Sequence, residues 1–109
     1  MPTREIGPLA LRELLSAPGP HPVLLDVRTP AEHALVALPD SVLIPLQEFS
    51  QRLAELDALK GKAVVTYCHT GVRSLAAAAF LVSRGVEAVS LAGGIERYAV
   101  EVDASLPRY

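Results

Sequence analysis

The sequence has 109 residues, half of them apolar, which suffices for one hydrophobic core, and we do not expect a second in so short a chain. We therefore predict a single domain over residues 1–109. The net charge is −2 and no segment is rich in Lys and Arg, so no nucleic-acid partner is expected. No apolar run is long enough to span a bilayer, so no membrane partner is expected. Because no export signal is recognisable near Met1, a cytoplasmic location is the default expectation.

Short apolar runs and helical patterns alternate along the chain. The predicted strands are an edge strand near Ile6, buried strands at 23–27 and 41–44, and strands at 63–67 and 87–91. The predicted helices alternate with them: one carries Leu11, Leu14 and Leu15, one lies at 31–35 and is capped by Thr29 and Pro30, and an amphipathic helix covers 46–56. Two further helices are predicted at 75–82 and 95–102. Strands separated by helices in so short a chain favour a parallel sheet covered on both faces. The predicted fold class is therefore α/β, with four or five strands.

The most informative segment is 67–74, which lies between a buried strand and an Ala-rich helix and contains the only cysteine, Cys68. In parallel sheets, ligands bind at the carboxyl ends of the strands, where this segment lies. The loop leads into a helix N-terminus, whose unpaired N–H groups attract anions. Gly71 suits a tight loop because it can adopt a positive φ. We therefore predict an anion-binding loop around Cys68.

Within this loop, Cys68 is predicted to act as a nucleophile. The helix N-terminus and Arg73 would stabilise its thiolate, and a thiolate can take a sulfur atom from a donor. The resulting persulfide is also anionic, so the same groups would stabilise it. With one cysteine in the sequence, the reaction must be completed by an external acceptor. The structural alternative is that Cys68 is a small apolar core residue.

The other loop residues are predicted to bind substrate, and two residues outside the loop to support it. The predicted substrate-binding residues are His69, Thr70, Gly71, Val72 and Ser74. Asp26 lies near the end of the strand predicted at 23–27 and Arg28 directly follows that strand, and we expect structural roles for both. Arg28 also has the spacing to form a local ion pair with Glu32. The spaced set of Cys and His residues that a zinc site needs is lacking, so we expect neither a metal nor a cofactor.

Residues 68–74, Cys-His-Thr-Gly-Val-Arg-Ser, resemble the active-site loop of rhodanese domains, Cys-x-x-Gly-x-Arg-Ser. Three further segments resemble that family in the same order: 24–32, 44–46 and the Gly-Gly-Ile of 93–95. The resemblance implies a rhodanese-like fold, which is a five-stranded parallel sheet flanked by helices on both faces. It also implies thiosulfate-type sulfurtransferase chemistry, with a persulfide on Cys68 and Arg73 as the catalytic anion partner.

The sequence departs from the family pattern in two places. Where the family often has Gly-His-Ile-Pro-Gly-Ala, residues 36–41 keep only the proline, and the usual Trp after Gly-Gly-Ile is replaced by Tyr98. Both positions bear on loop geometry and packing more than on chemistry.

Two alternative functions remain open. Phosphatases of this fold use Cys-x5-Arg, whereas Cys68 and Arg73 are separated by four residues. The shorter loop suits a sulfur atom better than a tetrahedral oxyanion, but a phosphatase or an arsenate reductase remains a rival. The other alternative is a non-catalytic rhodanese module that docks a partner or senses sulfide.

The tail, 100–109, resembles the end of rhodanese domains fused to adenylyltransferases that activate ubiquitin-like sulfur carriers. That likeness implies a sulfur-carrier protein as one acceptor. The alternative, compatible with the first, is that Leu106 and Tyr109 pack on the domain. The expected donors are thiosulfate or a persulfide, and the expected acceptors are cyanide, a thiol or a protein.

Overall fold

A computed structural model describes residues 4–109 and shows five parallel strands in one sheet. The strands are β1 (Glu5–Ile6), β2 (Val23–Asp26), β3 (Val42–Leu43), β4 (Ala63–Tyr67) and β5 (Glu87–Leu91). Their order across the sheet is β1-β5-β4-β2-β3, so β4 lies at the centre. All pairings are parallel, which confirms the predicted α/β class.

Helices cover both faces of the sheet. They are α1 (Pro8–Ser16), α2 (Pro30–Leu35), a 3₁₀ helix (Leu46–Gln51), α3 (Leu53–Asp57), α4 (Val72–Ser83) and α5 (Gly94–Glu101). In β4, Val64 packs into one apolar cluster with α4, while Val65 packs into another with α1 and α5. Because successive strand residues point to opposite faces, these two clusters form the two halves of the core, one on each side of the sheet. No helix within residues 4–109 is long and apolar enough to cross a membrane.

Two predicted elements differ from the structure. The strand predicted as buried over 41–44 has only two residues and lies at the sheet edge, where Val42 is 47% exposed. An edge strand has a neighbour on one side only, which explains the exposure. The helix predicted over 46–56 is split at Arg52 into a 3₁₀ helix and a short α-helix. Its apolar residues recur at intervals of three within each piece, and residues three apart align in a 3₁₀ helix.

The turn before β3 lies in the segment that departs from the family sequence. Asp40 occupies the position of the second family glycine and adopts φ of 60°. Asp tolerates this left-handed conformation better than most residues. This turn is therefore made with an aspartate in the left-handed region instead of a glycine.

The carboxyl ends of the central strands bring the predicted site residues together. Asp26 at the end of β2 pairs in register with Tyr67 at the end of β4. The loops that follow these strands carry Arg28 and Cys68, and both residues are buried. Helix α4 begins at Val72, three residues earlier than predicted. The cysteine loop therefore closes directly onto a helix N-terminus.

Candidate active site

The sulfur of Cys68 lies at the N-terminus of α4. It accepts hydrogen bonds from the backbone N–H groups of Gly71, at 3.1 Å, and Ser74, at 3.3 Å. Gly71 is the N-cap of α4 with φ of 105°. Both N–H groups belong to the first turn, where the helix offers no carbonyl partner. This arrangement stabilises negative charge on the sulfur.

The side chain of Ser74 joins the sulfur to the first turn of α4. The Cys68 sulfur lies 3.4 Å from the Ser74 hydroxyl, which also donates to the carbonyl of Gly71. The same hydroxyl lies 2.8 Å from the hydroxyl of Ser90 in β5. Ser74 and Ser90 are fully buried. Ser74 therefore connects the sulfur to the first turn of α4 and to β5. The sequence interpretation did not identify Ser90.

The cysteine loop is anchored to the start of α5. The carbonyls of Cys68 and His69 accept the N–H groups of Ile95, at 2.9 Å, and Glu96, at 3.0 Å. This close approach requires glycine, because a Cβ at Gly94 would lie 2.3 Å from the carbonyl oxygen of His69. The Gly-Gly segment thus serves the site by letting one helix start approach the backbone of the loop.

Arg73 forms an ion pair with Glu32 of α2. Its two terminal nitrogens donate to the two carboxylate oxygens at 2.7 and 2.9 Å. The hydrogen bonds from Arg73 hold the pKa of Glu32 well below its usual range. The same contact raises the pKa of Arg73, to which the charge of Cys68 also contributes. Arg73 therefore lies within the electrostatic reach of the sulfur, but its charge is balanced by Glu32.

Asp26 and Arg28 form a buried pair beneath the site. Arg28 donates to the two carboxylate oxygens of Asp26 at 2.9 and 2.7 Å, and both side chains are fully buried. The prediction of a local ion pair between Arg28 and Glu32 is wrong, since Glu32 pairs with Arg73. Arg28 also donates to the hydroxyl of Tyr109 at 2.9 Å. Arg28 further donates to the carbonyl of Val36, so the pair holds the loop after β2 against the end of α2.

The remaining loop residues lie at the surface of the site. The ring of His69 stacks on that of Tyr109, with centroids 3.9 Å apart and planes 13° from parallel. Within the described residues, the buried Nε2 of His69 has no hydrogen-bond partner, and a carboxylate oxygen of Glu96 lies 3.9 Å away. Thr70 is exposed and Val72 is 77% exposed. These two residues form an exposed rim beside the cysteine.

Besides Ser90, the sequence interpretation missed three contributors to the site: Glu32 as the partner of Arg73, His33 as a partner of Asp26, and Tyr109 as a hydrogen-bond partner of Glu32. His33 Nδ1 lies 2.7 Å from Asp26. The hydroxyl of Tyr109 donates to Glu32 at 2.7 Å. A signal for Glu32 was present, since Thr29 and Glu32 form a capping box that fixes this carboxylate at the start of α2.

Replacing Asp26 by Ala is expected to lower the free energy of unfolding by about 3–5 kcal/mol, because it leaves the charge of Arg28 buried and unpaired. Urea denaturation of both proteins measures the difference. The matched control is Asp57→Ala, which breaks a partly exposed pair with Arg84 and is expected to cost much less. Equal losses in the two variants would show that the buried pair has no special role.

Comparison with known proteins shows the family to which the chain belongs. Residues 8–101 match the profile of the rhodanese-like domain family. A sulfurtransferase of Allochromatium vinosum is 40% identical over 78 residues, covering 71% of each chain. A tRNA uridine(34) hydroxylase of Cytophaga hutchinsonii is 42% identical over 83 residues, covering 72% of this chain but only 27% of that protein.

Comparison with solved structures identifies the same fold. The rhodanese-related protein of Thermoplasma volcanium superposes with a TM-score of 0.80 at 31% identity, over 91% of this chain and 93% of that one. Most of the relatives are much longer proteins, of which this chain matches one part. The chain belongs to the rhodanese-like domain family, whose members similar to it include proteins named as sulfurtransferases and tRNA uridine(34) hydroxylases.

Proposed function

We propose that the protein is a sulfurtransferase that carries a sulfane sulfur as a persulfide on Cys68. The observation that carries the proposal is the position of the sulfur, which accepts the N–H groups of Gly71 and Ser74 at the start of α4. These donors favour the anionic thiolate, which is the form that attacks a donor. A buried structural cysteine has no need of two converging N–H groups.

The reaction has two displacements. The thiolate of Cys68 attacks the outer sulfur of the donor, a new S–S bond forms, and the donor's own S–S bond breaks as its remaining part leaves with the electron pair. A nucleophilic acceptor then attacks the outer sulfur of the persulfide and regenerates the thiolate. No net oxidation or reduction occurs, because the same sulfane sulfur changes partners twice.

Each loop residue has a proposed role. Gly71 and Ser74 supply the N–H groups that hold both anionic forms of Cys68, and Arg73 contributes positive charge nearby. His69, Thr70 and Val72 face incoming substrate at the rim. Donors are thiosulfate or a persulfide. Acceptors are cyanide in the test tube and, in the cytoplasm, a thiol or a protein such as a sulfur carrier.

The test is the mass of the intact protein after incubation with thiosulfate and, separately, with a low-molecular-weight persulfide. We expect Cys68 to gain one sulfur atom, which cyanide then removes as thiocyanate. If neither donor adds sulfur, the proposal is wrong and a non-catalytic module is favoured. Hydrolysis of a chromogenic phosphate ester or reduction of arsenate would instead favour the phosphatase or reductase alternative.

A further inference from the structure

The thiol of Cys68 is buried, although the proposed reaction requires other molecules to reach it. The residue is only 1% exposed. Its sulfur rests on the first turn of α4, through Gly71 and Ser74, and these two residues are buried as well. The backbone of the cysteine loop is also hydrogen-bonded to the start of α5, so this part of the site is held firmly. Access to the sulfur therefore depends on the partly exposed side chains that surround the loop.

One such side chain is Tyr109, which spans the cysteine loop. Its ring stacks on His69, the residue that follows Cys68, with centroids 3.9 Å apart. Its hydroxyl donates to Glu32 at 2.7 Å, and Glu32 in turn pairs with Arg73 near the other end of the loop. A side chain with contacts toward both ends of the loop lies at the opening between them. Tyr109 therefore narrows the approach to the sulfur.

Tyr109 is held in this place by two hydrogen bonds and one aromatic stack. Its hydroxyl also accepts a hydrogen bond from Arg28, at 2.9 Å. Partial burial raises the pKa of the phenol to about 12, so the hydroxyl stays protonated and continues to donate to Glu32. In the tail that follows α5, Leu106 packs against an apolar cluster, whereas residues 107–109 are exposed. Tyr109 can therefore move off the loop at the cost of these contacts while Leu106 stays in place.

We propose that Tyr109 is a specificity-determining residue that restricts access to Cys68 by size. While Tyr109 is stacked on His69, small donors and acceptors such as thiosulfate and cyanide reach the sulfur, and larger molecules do not. A larger thiol or a protein acceptor reaches the sulfur only after Tyr109 has moved off His69. The proposal rests on the sulfurtransferase function proposed above and names the class of molecule that exchanges sulfur directly.

The first experiment does not depend on sulfur transfer. It measures the alkylation of Cys68, the only cysteine of the sequence, by iodoacetamide and by the bulkier N-phenylmaleimide. Each rate is followed by intact-protein mass and divided by the rate of the same reagent with free cysteine, which removes the difference in intrinsic reactivity. The size ratio is the corrected rate for the bulky reagent divided by that for the small one. We expect a size ratio well below one for the wild-type protein.

Three variants separate access from stability. Tyr109→Ala is expected to raise the size ratio about tenfold, the effect of one hydrogen bond to a charged group. Tyr109→Phe keeps the ring but lacks the hydroxyl, so its size ratio is expected to lie between those of the wild type and Tyr109→Ala. The matched control is Gly61→Ala, which is strained by a φ of 84° just before β4, at the end of that strand opposite to Cys68. It is expected to lose stability and to leave the size ratio unchanged.

The second experiment tests Tyr109 in sulfur transfer. Cys68 is first loaded with sulfur, and the discharge of its persulfide by cyanide is compared with the discharge by glutathione. The glutathione thiolate attacks the outer sulfur, forms glutathione persulfide and releases Cys68 as the thiolate. Tyr109→Ala is expected to speed the discharge by glutathione more than the discharge by cyanide.

The proposal is overturned if the wild type alkylates as readily with the bulky reagent as with the small one after correction. It is also overturned if Tyr109→Ala raises the size ratio no more than Gly61→Ala does, or if the two discharge rates change equally. If Cys68 carries no sulfur while the size ratio still rises in Tyr109→Ala, the sulfurtransferase function fails and the restriction of access by Tyr109 stands.

Discussion

Replacing Cys68 by Ser is expected to reduce sulfur transfer to the rate of a protein-free blank while leaving the fold intact. A hydroxyl oxygen can still accept the N–H groups of Gly71 and Ser74, so the buried donors keep a partner. Oxygen cannot take up and release a sulfane sulfur, so neither displacement can occur. Thiocyanate formation from a donor and cyanide measures transfer, and thermal unfolding by circular dichroism measures the fold.

A second variant separates chemistry from structure. Cys68→Ala is expected to be equally inactive but also less stable, because it leaves two buried N–H groups without an acceptor, at about 1–3 kcal/mol each. If Cys68→Ser still gained sulfur in the intact-mass experiment, another atom would have to carry the sulfur and the mechanism would be wrong. If Ser and Ala were equally stable, the two N–H groups would not be energetically important contacts of this side chain.

The central strands and the cysteine loop could be predicted from the sequence because their signals are local. The apolar runs of β2 and β4 reflect burial on both faces, and Gly71 marks the turn into α4. The predictions of secondary structure were wrong where one local sequence pattern is compatible with two structures. Val42 belongs to an apolar run that lies at the sheet edge, and the segment around Arg52 divides into two helices. Sequence patterns show that a residue is apolar but do not show what covers it.

The charge environment of the site could not be predicted because its partners are far apart in the chain. Arg73 and Glu32 are separated by 41 positions, and Tyr109 and Glu32 by 77. Spacing rules identify pairs within one helix, so they suggested Glu32 as a partner for Arg28. In the structure, Arg28 pairs with Asp26, which is buried beside it. Glu32 pairs instead with Arg73 of α4.

The role of the second glycine of the Gly-Gly pair could not be predicted from the sequence either, because its contacts are also far apart in the chain. From the sequence, the Gly-Gly-Ile of 93–95 is identified only as a segment that resembles the family, and Gly93 and Gly94 adopt positive φ values of 73° and 64°. The reason that Gly94 must lack a side chain lies across the fold, in the backbone of the cysteine loop. The start of α5 therefore contacts the candidate active site, although none of its side chains was among the predicted site residues.

Gly94→Ala is accordingly expected to destabilise the protein and to impair sulfur transfer together. The added Cβ would lie 2.3 Å from the carbonyl oxygen of His69 and 2.6 Å from that of Cys68. These are backbone atoms, so the conflict is relieved only by moving the cysteine loop away from α5. The positive φ alone costs a non-glycine residue about 1–2 kcal/mol. We expect a larger total loss, with sulfur loading of Cys68 reduced about tenfold or more, as for a misplaced reacting group.

The matched control for this prediction is Gly61→Ala. Gly61 also has a positive φ, 84°, but no atom lies within 4 Å of the Cβ that would be added. It therefore carries the conformational cost without the steric conflict, and its sulfur loading is expected to equal that of the wild type. Urea denaturation and intact-protein mass are measured on both variants. If Gly94→Ala lost no more stability than Gly61→Ala and loaded sulfur normally, the contact between α5 and the loop would not be what positions Cys68.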